Sequence, residues 1–325
     1  MRYTIFGESH GPAIGVTLEG MPAGIVLDWD LIRREMARRA PGQNGISTPR
    51  READEPQILS GVFEGRTTGT PLCAVIQNTD TRSRDYSRLK DLPRPGHADY
   101  TGQMRYQGCQ DYRGGGHFSG RLTAPLVFAG AMAKLVLRER GVAVEAVISN
   151  LAGIVGPTPE QAEEAILAAK ADRDSVGGCI RCAVTGLPAG LGAPDYGRNV
   201  EGIFSQYLFA VPAVKGVAFG AGFGFAGLRG SEANDPFRME GGRVVTATNH
   251  SGGINGGITN GMPVEFEVVL RPTPSIARPQ QTVSLSRGEN AQLTIEGRHD
   301  PCVVVRALPV IEAAGALAAC EVLGI

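Results

Sequence analysis

The spacing of apolar positions along the chain predicts helices and strands in alternation, separated by short polar segments rich in glycine. The predicted helices are a segment capped by Asp28 that stops at Pro41, an apolar segment from about Ser119 to Arg140, a segment opened by Thr158, and the segments 200–211 and 308–323. The predicted strands are 14–18, 72–77, 142–148, 180–185 and 264–270.

Two short patterns occur twice and in the same order, which indicates an internal duplication. Gly20-Met-Pro-Ala-Gly-Ile25 recurs as Gly186-Leu-Pro-Ala-Gly-Leu191, and Gly65-x-Thr-x-Gly-x-Pro71 recurs as Gly257-x-Thr-x-Gly-x-Pro263. Chance agreement between turn residues is the alternative. Because no Pro/Ser-rich linker separates the halves, we expect residues 1–325 to form a single α/β domain of the layered α+β kind.

Composition and charge narrow the possible functions. With 42% hydrophobic residues, 20% charged residues and a net charge of −1, the chain can bury a large core but has no overall field for nucleic acid or membrane. Basic residues cluster between Arg33 and Arg51, where they suit either a solvated helix face or an anionic small molecule. RNA binding is a rival hypothesis, but only Trp29 offers an aromatic ring at the edge of that cluster.

The cysteines predict a cytoplasmic location, and the longest apolar run predicts a buried helix. Six scattered cysteines without a secretory signal predict reduced thiols and a cytoplasmic location. Cys179 and Cys182 form a CxxC, either a zinc half-site or part of a strand, and no second pair completes a zinc site. The run 122–133 is too short to span a bilayer and predicts a buried helix.

All five histidines lie in short polar loops beside glycine, arginine or a carboxylate, where functional groups concentrate: His10, His97, His117, His250 and His299. Gly114-Gly-Gly-His-Phe-Ser-Gly-Arg121 leads into a helix, so it suits either a phosphate or flavin-phosphate site or a simple turn. Gly222-Phe-Gly-Phe-Ala-Gly227 has dinucleotide-binding spacing, but no helix is predicted after it, so we reject that function.

Five motifs together resemble the chorismate synthase family, in the order in which that family carries them. They are Phe6-Gly-Glu-Ser-His-Gly11, Arg94-Pro-Gly-His-Ala-Asp-Tyr100, Asp111-Tyr-Arg-Gly-Gly-Gly116, Val214-Lys-Gly216 and Gly297-Arg-His-Asp-Pro-Cys302. The resemblance implies a lyase that eliminates phosphate from 5-enolpyruvylshikimate 3-phosphate to give chorismate. Another flavin or sugar-phosphate lyase on the same scaffold is the alternative.

The resemblance also implies a cofactor, an assembly and a fold. It implies reduced FMN, a homotetramer and a β-α-β sandwich core, the last in agreement with the duplicated, layered organisation. Some members reduce their own flavin, an NADP-linked activity; for this chain we expect an external reductant.

The resemblance assigns catalytic roles position by position. His97 matches the histidine that protonates reduced flavin near N1, and His10 the one that supplies a proton toward the departing phosphate. Asp300, with Ser119, matches the relay that keeps flavin N5 able to accept the C6 proton, and Ser9 lies beside the substrate.

Two sets of binding residues follow from the same resemblance. The substrate's phosphate and carboxylates are expected at Arg39, Arg105, Arg121 and Arg298. FMN contacts are expected from His117, Phe118, Ser119, Pro212, Ala213, Gly256, Arg271, Pro272, Thr273, Pro274, Ser275 and Arg298. No metal site is expected.

Three positions depart from the family pattern. Arginine is usual where this chain has His117 and Gly45, and lysine is common where it has Arg271. Arg50 and Arg51 are the nearby candidates to replace the charge absent at position 45.

Overall fold

The computed structural model describes residues 1–42, 54–79, 89–295 and 300–325, which mix helices and strands in an α+β fold. Within these residues the helices are α1 (Trp29–Arg39), α2 (Asp99–Arg105), α3 (Thr123–Arg138), α4 (Pro159–Ala171), α5 (Val200–Phe209), α6 (Gly230–Ala233) and α7 (Val304–Val322). All five helices predicted from the sequence are present.

The strands of the described residues form two larger antiparallel sheets and four small hairpins. The first sheet has the order β1 (Arg2–Gly7), β2 (Ala13–Glu19), β6 (Leu72–Gln77), β3 (Gln57–Ser60). The second has the order β10 (Val214–Phe219), β15 (Val264–Leu270), β9 (Gly178–Thr185), β7 (Ala143–Leu151), β8 (Ile154–Val155). The hairpins pair β4 (Val62–Phe63) with β5 (Arg66–Thr67), β11 (Phe237–Glu240) with β12 (Arg243–Thr246), β13 (Ile254–Asn255) with β14 (Ile258–Thr259), and β16 (Gln280–Ser284) with β17 (Glu289–Leu293).

Local side-chain chemistry fixes where the helices begin. The Asp28 carboxylate accepts from the Leu31 N–H, and Thr158 forms the expected capping box with Gln161. Two starts differ from the prediction. Helix α3 begins at Thr123, after a 3₁₀ turn at 120–122, and α7 begins at Val304 and contains Pro309. Proline usually occupies a first turn, which is why the sequence alone suggests a later start for α7.

Helices α3 and α7 form the centre of the core. Helix α3 packs on β2 and β6, α7 packs on β7 and β9, and the two helices pack on each other. They approach closely because Gly130 faces α7: a Cβ atom there would lie 2.1 Å from the Cβ of Ala313. By length and composition the segment 120–138 could span a membrane, contrary to the sequence-based estimate, but 83% of its apolar window is buried inside the protein.

The CxxC of β9 does not bring its two sulfurs together. Residues three apart on a strand point to opposite faces, so Cys182 enters the core, where it is 1% exposed, and Cys179 faces the other side. Burial raises the pKa of the Cys182 thiol. The pair therefore belongs to a strand, and its two thiols do not converge on one ion.

The duplicated sequence patterns fold into matching hydrogen bonds. The hydroxyl of Thr67 donates to the Pro22 carbonyl at 2.5 Å, and the hydroxyl of Thr259 donates to the Pro188 carbonyl at 2.7 Å. Each hydroxyl also accepts from the backbone N–H three residues after that proline, at 3.0 and 2.9 Å. We call each of these arrangements a threonine clamp. Each clamp leads into a strand, β6 in the first half and β15 in the second, and the order β1-β2-β6-β3 corresponds to β7-β9-β15-β10.

A buried ionic cluster joins the central helices. Glu312 of α7 accepts from Arg38 of α1 at 2.7 and 2.8 Å and from Lys134 of α3 at 2.6 Å. Glu35 accepts from the same two cations at 2.9 and 2.8 Å, and the Ala146 N–H of β7 donates to Glu312 at 3.2 Å. Burial raises the pKa of Glu312, but the neighbouring Arg38 and Lys134 outweigh burial, so the net pKa is lowered.

Glu312→Gln is expected to lower the free energy of unfolding by about 3–5 kcal/mol, because it removes one partner of a buried ion pair. Because the folded pKa of Glu312 is depressed, its contribution is fully present above the usual glutamate pKa of about 4.3 and is lost as the pH falls. Urea denaturation at pH 7 and at lower pH measures both effects. Glu240→Gln, in the exposed pair with Arg238, is the matched control and should barely change stability. Equal losses in the two variants at pH 7 would contradict the prediction.

Candidate active site

A cavity of about 260 Å³ lies where segments distant in the sequence meet. Among the described residues, five arginines line it: Arg39, Arg94, Arg121, Arg271 and Arg306. Apolar residues also line the cavity, namely Val211, Pro212, Ala213, Leu270, Val303, Ala307 and Val310. Such a cavity suits a ligand with one apolar surface and several anionic groups.

Most residues expected at the site line this cavity: Arg39, His97, Phe118, Ser119, Arg121, Pro212, Ala213, Arg271, Thr273, Pro274, Ser275 and Asp300. Others do not line it: Ser9, His10, Arg105, His117, Gly256 and Pro272. Arg105 ends α2, and Gly256 lies in the turn between β13 and β14. Arg298, Gly45, Arg50 and Arg51 lie outside the described residues.

A glycine loop packs against two histidines, of which His97 lines the cavity. Gly114, Gly115 and Gly116 all have positive φ, and a Cβ atom at Gly114 would lie 2.6 Å from the His10 ring. A Cβ atom at Gly115 would lie 3.2 Å from the His97 ring. Because glycine has no Cβ, His10 packs against the loop whose Gly114 lines the cavity, and His97 reaches the cavity directly.

Ser9 is held behind the same loop. Its backbone N–H donates to the Gly116 carbonyl at 3.2 Å, and the residue is completely buried. Its hydroxyl oxygen has no hydrogen-bond partner among the described residues. A buried hydroxyl without a partner retains its capacity to bond a ligand or a water molecule.

His97 belongs to an ionic group with Arg94 and Asp99. The Nδ1 atom of His97 lies 2.7 Å from Asp99 Oδ1, and Arg94 donates to both carboxylate oxygens, at 2.7 and 2.8 Å. Burial lowers the pKa of His97, and nearby Arg94 and Arg271 lower it further, against an opposing effect of Asp99. The net effect lowers the pKa of His97 and favours its neutral form.

Arg39 and Arg121 share one carboxylate. The Asp54 side chain has no solvent exposure, and it accepts from Arg39 at 2.5 Å and from Arg121 through its other oxygen. Burial raises the pKa of Asp54, but the two guanidinium groups outweigh it and lower the pKa. Asp54 does not line the cavity whereas both arginines do, so the carboxylate supports them from behind.

Asp300 pairs with Arg306 from the first turns of α7, at 2.5 Å. Arg306 also donates to the Arg39 carbonyl at 3.1 Å. Burial lowers the pKa of Arg306, and the charge of Arg39 adds to that effect. The pair therefore links the end of α1 to the segment that carries Asp300.

Four of these residues were not predicted from the sequence: Asp54, Arg94, Asp99 and Arg306. Arg94 and Asp99 stand inside the motif that contains His97, so their charge and proximity were a usable signal. Arg306 follows Asp300 by six positions, but only the helix start shows that the two meet. Asp54 carries no local signal, because its partners are 15 and 67 positions away.

The chain is similar to known proteins along nearly its whole length. The family model described as chorismate synthase matches residues 1–323. The chain is 46% identical to the chorismate synthase of Thermococcus kodakarensis, over 96% of this chain and 92% of that protein. It is 47% identical to the chorismate synthase of Chitinophaga pinensis, over 98% and 92%. A crystal structure of chorismate synthase superposes with a TM-score of 0.76 at 27% identity, covering 99% of this chain and 91% of that one. The chain belongs to the chorismate synthase family.

Proposed function

We propose that this protein is a lyase of aromatic amino-acid biosynthesis that converts 5-enolpyruvylshikimate 3-phosphate to chorismate by anti-1,4-elimination of phosphate. The observation that carries the proposal is the family match along residues 1–323. The cavity supports it, since residues from all five family motifs or their flanks lie in or beside it.

The arginine side of the cavity is the proposed substrate site. The substrate has a phosphate and two carboxylates, and guanidinium groups bind both kinds of group with paired N–H donors. Arg39 and Arg121 are the proposed phosphate ligands because both line the cavity and Asp54 fixes both. Arg298 and Arg105 remain proposed ligands on the basis of the family pattern alone.

The apolar side is the proposed site for reduced FMN. The segments 211–213 and 270–275 supply apolar surface together with the cation of Arg271. The hydroxyl oxygen of Thr273 is buried without a hydrogen-bond partner among the described residues, as expected for a group that bonds a polar ligand. The chemistry that FMN supplies when bound is acceptance of the substrate's C6 proton at flavin N5. His117, Phe118, Ser119, Pro272, Pro274, Ser275 and Gly256 remain proposed contacts.

The proton-handling groups lie around the glycine loop and at the start of α7. His10 is proposed to supply a proton toward the departing phosphate, with Ser9 beside it. His97 is proposed to hold a proton at the edge of the flavin site. Asp300, with Ser119, is proposed to keep the proton acceptor oriented, and both residues line the cavity.

We further propose that residues 1–325 form one domain with a pseudo-symmetric β-α-β sandwich. The two threonine clamps and the corresponding strand orders support this, and so does a main core cluster that draws on both halves of the chain. A homotetramer is proposed because large apolar side chains are exposed on neighbouring segments, including Phe223, Phe237 and Met239. A cytoplasmic location, an external flavin reductant, and no nucleic-acid or membrane partner complete the proposal.

An anaerobic assay with the shikimate phosphate and chemically reduced FMN tests the function. Formation of chorismate and inorganic phosphate in equal amounts is the expected result. If the protein binds reduced FMN but leaves this substrate intact, another flavin or sugar-phosphate lyase activity is favoured.

His10→Ala and His97→Ala are each expected to slow turnover by at least about 10-fold, within the usual range for one acid–base group. Circular dichroism and melting temperature should change little, because both rings lie beside a polar loop and outside the hydrophobic core. Folded variants with wild-type rates would show that the acid–base assignment is wrong.

Asp300→Asn tests whether that carboxylate acts in catalysis or only pairs with Arg306. The change keeps size and removes charge, so a catalytic role predicts a strong fall in kcat with FMN and substrate affinity nearly unchanged. A structural role predicts a lower Tm and weaker FMN binding, with kcat at saturation retained. Single-turnover rate, flavin titration and melting temperature on this variant distinguish the two.

Asp54→Asn is expected to lower the free energy of unfolding by about 3–5 kcal/mol, because Arg39 and Arg121 would remain buried without their shared carboxylate. Asparagine tolerates the positive φ of 51° at this position, so the loss reports charge and not backbone strain. Asp195→Asn, in the exposed pair with Arg198, is the control. Equal stability of the two variants would show that Asp54 does not support the arginines.

A further inference from the structure

Asp99 lies beside His97 but outside the lining of the cavity. It is the first residue of α2, two positions after His97, and its side chain is 9% exposed. Its Oδ2 atom accepts from the Arg94 backbone N–H at 3.0 Å and from Arg94 Nε at 2.7 Å. Its Oδ1 atom accepts from the terminal nitrogen of Arg94 at 2.8 Å and lies 2.7 Å from His97 Nδ1.

These contacts determine which ring nitrogen of His97 carries hydrogen. Burial raises the pKa of Asp99, but its hydrogen bonds with Arg94 and His97 outweigh burial and lower the pKa, so Asp99 is an ionised carboxylate that can only accept. A bare Nδ1 would therefore place two lone pairs 2.7 Å apart. Arg94 also approaches Nδ1, at 3.1 Å, and the second hydrogen on its terminal nitrogen would suit a bare Nδ1, but the shorter contact of 2.7 Å with the Asp99 carboxylate dominates.

We propose that Asp99 is a positioning residue for His97: it holds the Nδ1–H tautomer, so that Nε2 is the atom that exchanges protons in the cavity. Arg94 in turn fixes Asp99 by donating to both carboxylate oxygens. The tautomer follows from the contacts of Asp99 with His97 and Arg94, whatever reaction the protein catalyses. Its meaning for catalysis rests on the proposed function, in which His97 handles a proton of the reaction.

The charges around His97 make Asp99 important for its proton affinity as well. Arg94 in the same loop and Arg271 after β15 both disfavour the imidazolium form, as does burial. Asp99 opposes them through its hydrogen bond and its charge. Without the Asp99 charge, the pKa of His97 would fall further, and less of the ring would be protonated near neutral pH.

Asp99→Asn changes this arrangement in a predictable direction. The Oδ2 position accepts two hydrogen bonds from Arg94 and the Oδ1 position one, so the amide oxygen is expected at Oδ2 and the amide nitrogen at the position that faces His97. An amide nitrogen only donates, which favours a bare Nδ1 and hydrogen on Nε2. The variant should therefore reverse the tautomer and lower the pKa of His97.

Long-range ¹H–¹⁵N NMR of ¹⁵N-histidine-labelled protein tests the inference without turnover. The His97 signals are assigned by their absence in His97→Gln. We expect wild-type His97 to be the Nδ1–H tautomer when neutral, and Asp99→Asn to give Nε2–H with a lower pKa. Asp174→Asn, in the exposed pair with Arg278, is the matched control and should leave the His97 signals unchanged.

An Nε2–H tautomer in the wild-type protein would overturn the proposal, and this arm needs no folded variant. An unchanged tautomer and pKa of His97 in folded Asp99→Asn would overturn it equally.

Turnover provides the second readout. Asp99→Asn is expected to lower kcat at least about 10-fold, to move the alkaline limb of the pH profile to lower pH because His97 must be protonated, and to leave the KM for the substrate within about 3-fold. A merely structural Asp99–Arg94 pair would lower Tm and raise KM without moving the pH profile, which would contradict the proposal. If the wild-type protein does not convert the substrate, the proposed function fails, whereas the NMR result still decides the role of Asp99.

Discussion

A guanidinium group removed from water needs an anion beside it, and the cavity of this protein is organised around that requirement. Arg39 and Arg121 share Asp54, Arg94 is paired with Asp99, and Arg306 with Asp300. In the first two cases the carboxylate lies outside the lining of the cavity, so it offsets the cost of burial without occupying the binding surface. The cavity thereby keeps its arginines fixed in orientation and still positively charged toward a ligand.

The same pairing also holds distant segments together. Arg38 of helix α1 joins the buried cluster around Glu312. Arg39, the next residue, pairs with Asp54 beside the cavity. The Arg39 carbonyl accepts from Arg306, which holds Asp300. The last turn of α1 therefore connects the ionic cluster of the core with Asp54 and Arg306 at the site. A displacement of α1 would move both Arg38 and Arg39.

Much of the scaffold could be predicted from the sequence because its signals are local. Apolar periodicity, the Asp28 cap and the Thr158 capping box locate helices within one or a few positions, and the duplicated patterns indicated that related turns would recur. The start of α7 is an exception, because proline is tolerated inside this buried helix, and the start of α3 is another, because a 3₁₀ turn precedes it. The site was less predictable. The family resemblance pointed to His97, Arg39, Arg121 and Arg271, which line the cavity. The support of two of these arginines by Asp54 can be recognised only when α1 and the segment before α3 are in contact. Arg105 and Gly256 do not line the cavity, because resemblance to a family at one position does not fix where a helix end or a hairpin turn projects.

The two threonine clamps have a consequence for how much the sequence can vary. The chain contains the same hydrogen-bonded turn twice. Comparing the two copies therefore separates the residues that this turn requires from those that can vary. The residues common to both copies are the glycines, the prolines, the alanine between them and the threonine that bonds the backbone. The positions that differ exchange one buried apolar residue for another, as at Met21 and Leu187, or change the accessible residues between the glycines, as at Thr68 and Asn260. The two copies therefore share their hydrogen bonds to the main chain while the side chains between the shared residues differ, which is the pattern expected where hydrogen bonds to main-chain atoms carry the structure.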